Sequence, residues 1–299
     1  MPIFKWVPIS KWVAPVVLLC ACCGIFPALA DTQSLPLAGK VVTSIPPSWQ
    51  LTLLQTALSR SREQYQIQSL TTDMNQKRKV EEALAGNVDV FWSMTSKALE
   101  ESVIPVRIPI FKGLLGNRLL IIRAEDRAKF AAVGSKEEFA TLRAGQNRYW
   151  PDADILAANG LPLVTSYQYK NLYPMLEGGR FDYLALGAQE IWEELAKHPD
   201  PALEVDSHIL LQYRAPAYFF VSPKRQRLAQ DLEAGLESMI ADGSFDAMFK
   251  RELKLDALYE LAQFERRLIV RLDTQDSSPL TPTARPALWL DLFSMQGVK

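Results

Sequence analysis

The chain has 299 residues, is 48% hydrophobic, and sets 33 Lys and Arg against 34 Asp and Glu for a formal net charge of −1. That balance supplies no basic field for nucleic acid. The three cysteines fall together at Cys20, Cys22 and Cys23, so the rest of the chain has no disulfides and no thiolate ligands; with His198 and His208 as the two histidines, a His–Cys metal cluster is excluded.

The first elements are those of a secretory signal. Lys5 and Lys11 give the positive end, an apolar run extends from Trp12 to about Phe26, and Ala28-Leu29-Ala30 before Asp31 is a small-x-small cleavage site. Residues 1–30 are therefore expected to be removed on export. A retained membrane anchor is the alternative, but Pro15, Gly24 and Pro27 interrupt the run, which falls short of the roughly 20 apolar residues a span needs. Leu18-Leu19-Cys20-Ala21-Cys22 also resembles a bacterial lipobox, which would lipidate Cys22 and tether the protein; in the other reading these cysteines are small hydrophobes. Cleavage after Ala30 takes Lys5 and Lys11 away and moves the charge to −3. The remainder is long enough for two ordinary domains, and no later segment is apolar enough to cross a membrane.

Strand and helix signals then alternate. Lys40 to Ile45 reads as a strand, Ser48 to Arg62 as a helix capped at Ser48 with Leu51, Leu54 and Leu58 on one face. Tyr65 to Leu70 alternates with period two. Asn75 to Ala85 is helical with Gly86 as its stop, and Val88 to Met94 is a near-continuous apolar strand of the kind buried in a parallel sheet. Ile104 to Ile110 and Arg118 to Arg123 follow as strands around Lys112-Gly113. A second series begins near Glu125: a short helix at Glu137 to Leu142, a helix opened by Trp150-Pro151-Asp152, strands at Leu163 to Tyr167 and Phe181 to Leu186, and helices at Asn171 to Leu176 and Ala188 to Ala196. Ile209 to Tyr213 and Tyr218 to Val221 are strands, and helices near Lys224 to Ala241 and Phe245 to Phe264 close the body. From Asp273 to Pro286 the composition is that of a linker, and Ala287 to Phe293 is an apolar patch expected to dock on the body.

One joint occurs twice: Gly86-Asn87-Val88-Asp89 and Gly179-Arg180-Phe181-Asp182 each end a helix and begin a buried strand. The repetition suggests two similar lobes, each with a small parallel sheet.

Catalytic signatures are missing. There is no G-x-S-x-G elbow, and Gly113-Leu114-Leu115-Gly116 lacks the spacing and the Lys-Ser/Thr of a phosphate loop. The pairs Glu81-Glu82, Glu137-Glu138 and Glu193-Glu194 read as solvated helix faces. Candidate ligand groups lie instead where strands end, the place at which open α/β sheets present sites: Trp49, Trp92 and Thr95, then Gln146, Trp150 and Asp152, then Gln189. Aromatic walls from the tryptophans and polar contacts from the others suit a small-molecule cleft; ordinary loop composition, with tryptophans in the core, is the competing reading.

At these residues the chain resembles the bacterial extracellular solute-binding proteins that include periplasmic amino-acid receptors. The likeness runs from about Gly39 to Leu253. It rests on Asp89-Val90-Phe91-Trp92-Ser93-Met94-Thr95 with Ile108-Pro109-Ile110-Phe111-Lys112-Gly113, and on Tyr218-Phe219-Phe220-Val221-Ser222 followed by the closing helices and Asp242-Gly243-Ser244-Phe245. The resemblance implies an α/β, two-lobed periplasmic binding protein-like fold of type II, each lobe a small sheet flanked by helices, with Leu119 to Arg123 and Ala217 to Val221 as crossing strands. Residues 31–122 and 218–265 would form lobe 1, residues 123–217 lobe 2, and residues 266–299 a C-terminal tail. It further implies a monomer in the periplasm that encloses a small polar solute, needs no cofactor, performs no catalysis, and serves a membrane permease or, alternatively, a membrane sensor. Amino-acid receptors of this type carry an arginine shortly after the strands of the first lobe. Here Thr95-Ser96-Lys97-Ala98-Leu99-Glu100 offers none, and Lys97 cannot reproduce a guanidinium fork. Arg107, Lys112, Arg118 and Arg148 are the substitutes to consider.

Overall fold

The structure, a computed structural model, describes residues 37–72, 74–199, 202–274 and 278–293; the expected signal segment, with Cys22, lies outside them. The first half alternates as β1 (Leu37–Thr43), α1 (Trp49–Ser59), β2 (Gln64–Ser69), α2 (Gln76–Ala85), β3 (Val90–Met94), α3 (Lys97–Ser102) and β4 (Ile104–Val106). It continues with β5 (Asn117–Arg123), α4 (Arg127–Ala131), α5 (Lys136–Phe139), β6 (Ala144–Asn147), α6 (Pro151–Ala158), β7 (Leu163–Ser166), α7 (Leu172–Glu177), β8 (Tyr183–Gly187) and α8 (Ile191–Lys197). The last part is β9 (Leu203–Val205), β10 (Ile209–Gln212), β11 (Ala217–Val221), α9 (Gln226–Ala241), α10 (Ser244–Glu252), α11 (Leu255–Ala262) and β12 (Leu268–Arg271). None of the described helices is long and apolar enough to cross a membrane.

Two sheets result. The first runs β2-β1-β3-β11-β4, the second β12-β10-β5-β8-β6-β7 with β9 on β5. Both are mixed rather than parallel: β1 lies parallel to β2 and β3, but the returning β11 is antiparallel to β3 and β4. In the second sheet β6 is parallel to β7 and β8, while β5 is antiparallel to β8, β9 and β10. The expected two-lobed α/β architecture is thus present, with helices packed on each sheet.

Local chemistry sets most of the element ends. Asn75 accepts the Arg78 backbone N–H at 2.9 Å to open α2, and Gly86 closes it in the left-handed conformation at φ 85°. Ser48 does not cap α1 through its side chain; its hydroxyl donates to the Pro46 carbonyl at 2.9 Å. The helix expected over Phe245 to Phe264 divides into α10 and α11, because Lys254 takes a left-handed φ of 48° between them. Helix α1 buries Leu53, Leu54, Ala57 and Leu58, and meets α9 where Gly235 lets the Ala57 carbonyl approach; a Cβ there would collide with it.

The repeated joint is the same device in both lobes. Asp89 N–H donates to the Val42 carbonyl at 2.7 Å, and its carboxylate accepts the Val42 N–H at 2.7 Å. Asp182 N–H donates to the Arg143 carbonyl at 2.8 Å, and its carboxylate accepts the Arg143 N–H at 2.7 Å. In each lobe an aspartate at the start of one strand therefore grips both backbone groups of a residue in or beside a neighbouring parallel strand.

Sheet membership moves the expected lobe boundaries. Leu119 to Arg123, expected as a crossing, lies in the second sheet, since all seven residues of β5 are buried and such a strand belongs at a sheet centre. The first passage between sheets is residues 107–116 and the second residues 213–216. They touch: Tyr213 N–H donates to the Gly116 carbonyl at 3.0 Å, and a Cβ on Gly116 would strike the Tyr213 carbonyl.

The tail expected from residue 266 is not a free appendage. After α11 the chain crosses a third time, and β12 pairs in parallel with β10. Asp273 then exchanges backbone hydrogen bonds with the Asn159 amide at 2.8 and 2.9 Å. Residues 278–293 return to lobe 1 and to the first passage, as expected of the apolar patch. Leu288 and Leu292 are buried, Arg285 forms a two-pronged pair with Glu237 at 2.7 and 2.8 Å, and Leu290 N–H donates to the Lys112 carbonyl at 2.8 Å. Lys112, itself left-handed at φ 48°, is buried with its ammonium on Asp246 and the Ala287 carbonyl.

Candidate functional site

Between the sheets lie two adjoining cavities of about 680 and about 320 Å³ that share Gln76, Met94, Trp150 and Pro151. Lobe 1 contributes the start of α2, the end of β3 and α3; lobe 2 contributes the β6–α6 connection, the end of β8 and the residues after it. These are the carboxyl ends of parallel strands, where chain reversals leave a crevice.

The floor is ionic. Arg118, the second residue of β5, is 3% exposed and brings a guanidinium nitrogen to 2.5 Å from the Asp152 carboxylate, itself 4% exposed. The Tyr213 hydroxyl donates to the same carboxylate oxygen, and the Tyr213 ring lies under the guanidinium at 5.5 Å. Asp152 sits in the first turn of α6, where helix N–H groups favour negative charge. Burial alone would lower the Arg118 pKa, but Asp152, Tyr213 and Glu190 outweigh it and hold the group above its ordinary value. Burial pushes the Tyr213 hydroxyl well up. Glu190 is the second carboxylate at Arg118, 3.6 Å away and 37% exposed on the cavity that it lines. Burial raises its pKa, against the pull of Arg118.

Aromatic groups form the walls. Trp92 packs edge-on against Phe111 at 5.4 Å, and Trp150 lies on Tyr169 at 5.2 Å. Tyr169 donates to Glu194 at 2.8 Å, and burial is the main reason its hydroxyl is held far above the ordinary value. Glu194 therefore faces the cavity; the solvated-face reading of Glu193-Glu194 is corrected for this residue, which is 20% exposed.

Of the seven residues singled out in the sequence, four meet here. Trp92 and Asp152 line the smaller cavity, Thr95 the larger, and Trp150 both. Thr95 turns its hydroxyl to Glu100 at 2.7 Å. The other three are placed elsewhere. Trp49 packs on Phe111 and Phe249 at 5.4 and 5.9 Å inside lobe 1. Gln146 is fully buried and accepts the Asn147 N–H at 3.0 Å. Gln189 is folded back over Gly187, its amide atoms buried and unpartnered. Tyr169, Tyr213 and Glu194 were not anticipated; each is positioned by tertiary packing, with no local motif to mark it. Of the arginine substitutes, Arg107 is held by Glu100 at 2.8 Å and Lys112 by the C-terminal segment. Arg118 is held by Asp152, leaving Arg148 exposed on the larger cavity. Among the described residues no cluster of His, Asp or Glu could hold a metal.

No protein-family model matches the sequence, and no curated protein does. Solved structures do match the fold. A periplasmic His/Glu/Gln/Arg/opine family-binding protein from Silicibacter pomeroyi, solved with lysine, aligns at TM-score 0.54 and 11% identity, covering 72% of this chain and 96% of its own. An arginine third transport system periplasmic binding protein from Legionella pneumophila aligns at TM-score 0.54 and 12% identity, covering 73% and 100%. An ancestral arginine-binding protein bound to arginine aligns at TM-score 0.52 and 12% identity, covering 73% and 98%. The fold is that of the periplasmic amino-acid-binding proteins. In this chain the Arg118 guanidinium of the cleft is buried against the Asp152 carboxylate.

Proposed function

We propose that this chain is an exported, monomeric solute-binding protein that encloses a small polar, amino-acid-like solute between its lobes and presents it to an ABC-type membrane permease. The observation that carries this reading is the cleft at the strand ends, built from both lobes and floored by the Arg118–Asp152 pair. A solute touching both walls is better held when the lobes close, which couples binding to hinge motion. The neighbours' arginine and lysine complexes, the secretory pattern of residues 1–30 and cleavage after Ala30 support it. Trp92, Thr95, Trp150 and Asp152 are its proposed contacts; Trp49, Gln146 and Gln189 act behind the walls. The mechanism is non-covalent and uses no cofactor. A thermal-shift screen of amino acids, small peptides, polyamines and organic acids tests it, because a binder raises stability by RT ln(1 + [L]/Kd). Silence across the panel from well-folded protein would refute it.

A further inference from the structure

The smaller cavity has an uneven set of commitments. Its cations are Lys79 and Arg118. Neither is free: Arg118 is bound to Asp152 and flanked by Tyr213 and Glu190, and Lys79 has a partner of its own. Among its carboxylates, Asp152 is bound to Arg118 and Tyr213. Glu194 accepts from Tyr169 with one oxygen and from Lys197 with the other, both at 2.8 Å. Glu190 differs. Its Oε1 accepts the Gly187 N–H at 3.0 Å and faces Arg118, while Oε2 has no protein partner among the described residues. The same cavity is walled by Trp92, Trp150 and Tyr169, whose ring faces attract cations.

Resting on the reading of the cleft as a solute site, we infer that the smaller cavity takes an organic cation, an alkylamine or guanidine, with Glu190 Oε2 as its acceptor, and that the cation needs no carboxylate. A carboxylate entering this cavity would find both positive groups engaged and three negative ones nearby. An amine or guanidinium meets an open acceptor in a cavity lined by aromatic side chains. The charge-assisted bond is strong in such surroundings.

Isothermal titration of the mature protein with agmatine, putrescine, arginine, glutamate and glutamine tests this, using wild type and Glu190→Gln. Agmatine should bind within about tenfold of arginine, glutamate should not bind, and Glu190→Gln should weaken agmatine at least about tenfold, in line with loss of a charged hydrogen bond. A circular-dichroism melt of Glu190→Gln verifies folding. Binding of glutamate or glutamine with agmatine and putrescine inert overturns the inference while the cleft reading stands. Agmatine binding that Glu190→Gln leaves unchanged also overturns it. Silence from all five ligands overturns the inference, and silence across the broad thermal-shift panel refutes the cleft reading as well.

Discussion

The Arg118 guanidinium stands 2.5 Å from the Asp152 carboxylate with both side chains almost fully buried, so a central strand of the second sheet is tied ionically to the first turn of α6. Breaking such a pair from one side leaves an uncompensated charge. Asp152→Ala should destabilise the protein by about 3–5 kcal/mol, whereas the apolar double substitution Arg118→Met with Asp152→Leu should lose much less. Urea unfolding followed by tryptophan fluorescence measures both. Equal losses in the two variants would contradict the assignment.

Gly116 and Tyr213 join the first two passages between the lobes. Gly116→Ala would push a methyl into the Tyr213 carbonyl, and overpacking of this kind costs about 1–3 kcal/mol. The passages must part to admit it. The expected outcome is a lower melting temperature together with a changed radius of gyration by small-angle scattering; an unchanged scattering curve would show that the contact does not set the lobe angle.

The paired joint aspartates give a matched experiment. Asp89→Asn and Asp182→Asn each weaken a carboxylate that holds a backbone N–H at 2.7 Å, and each should destabilise by about 1–3 kcal/mol. Asp182 also has a pH signature. Burial would raise its pKa, but Lys129, the Arg143 N–H and the Arg143 guanidinium together hold it below its ordinary 3.8. Its stabilising contribution is therefore present above the unfolded value and is lost as pH falls through the depressed folded value. Acid unfolding of Asp182→Asn should lack that component of the wild-type curve.

The two joints also show what could be read from sequence. A glycine that ends a helix, one residue, an apolar residue and an aspartate form a local pattern, and the local pattern has the same backbone consequence each time. Short apolar runs make β3, β5 and β11 legible in the sequence as well. Arg118 and Asp152 each stand out in the sequence, but their partnership depends on how β5 lies beside α6, and neither residue's neighbours encode that. Trp49 and Trp92 looked alike as aromatics after strands, yet one turns into the lobe and the other to the cleft. Strand β12 has no strand signal of its own, because its four residues gain their strand character only from the edge of β10. Glu194 has the sequence setting of a surface group, but Tyr169, 25 positions away, takes it inward.

Glu190 predicts the acid side of ligand binding. Burial raises its pKa despite Arg118, so it gains a proton at higher pH than an ordinary glutamate. Agmatine affinity should therefore fall as pH drops through that raised value, and the fall should vanish in Glu190→Gln. A series of titrations across pH checks this; a flat wild-type profile down to the ordinary carboxylate range would contradict it.

The C-terminal segment should behave as part of the body. A chain ending at Asp273 keeps β12 but loses Arg285, Ala287 and Leu290, which hold Glu237 and Lys112. Its melting temperature should drop by several degrees, about what losing 1–2 kcal/mol does in a protein of this size. Differential scanning calorimetry reads the shift, and equal melting of the two forms would show the segment to be dispensable.

The third crossing has a kinetic consequence. Ser222 in the chain after β11 reaches the Ala83 carbonyl across 139 positions, Lys112 reaches Ala287 across 175, and β10 waits for β12. Neither lobe can therefore be completed by a growing chain until nearly all of it has been made. Contacts so distant in sequence make folding slow, and a polypeptide that finishes late stays threadable for longer.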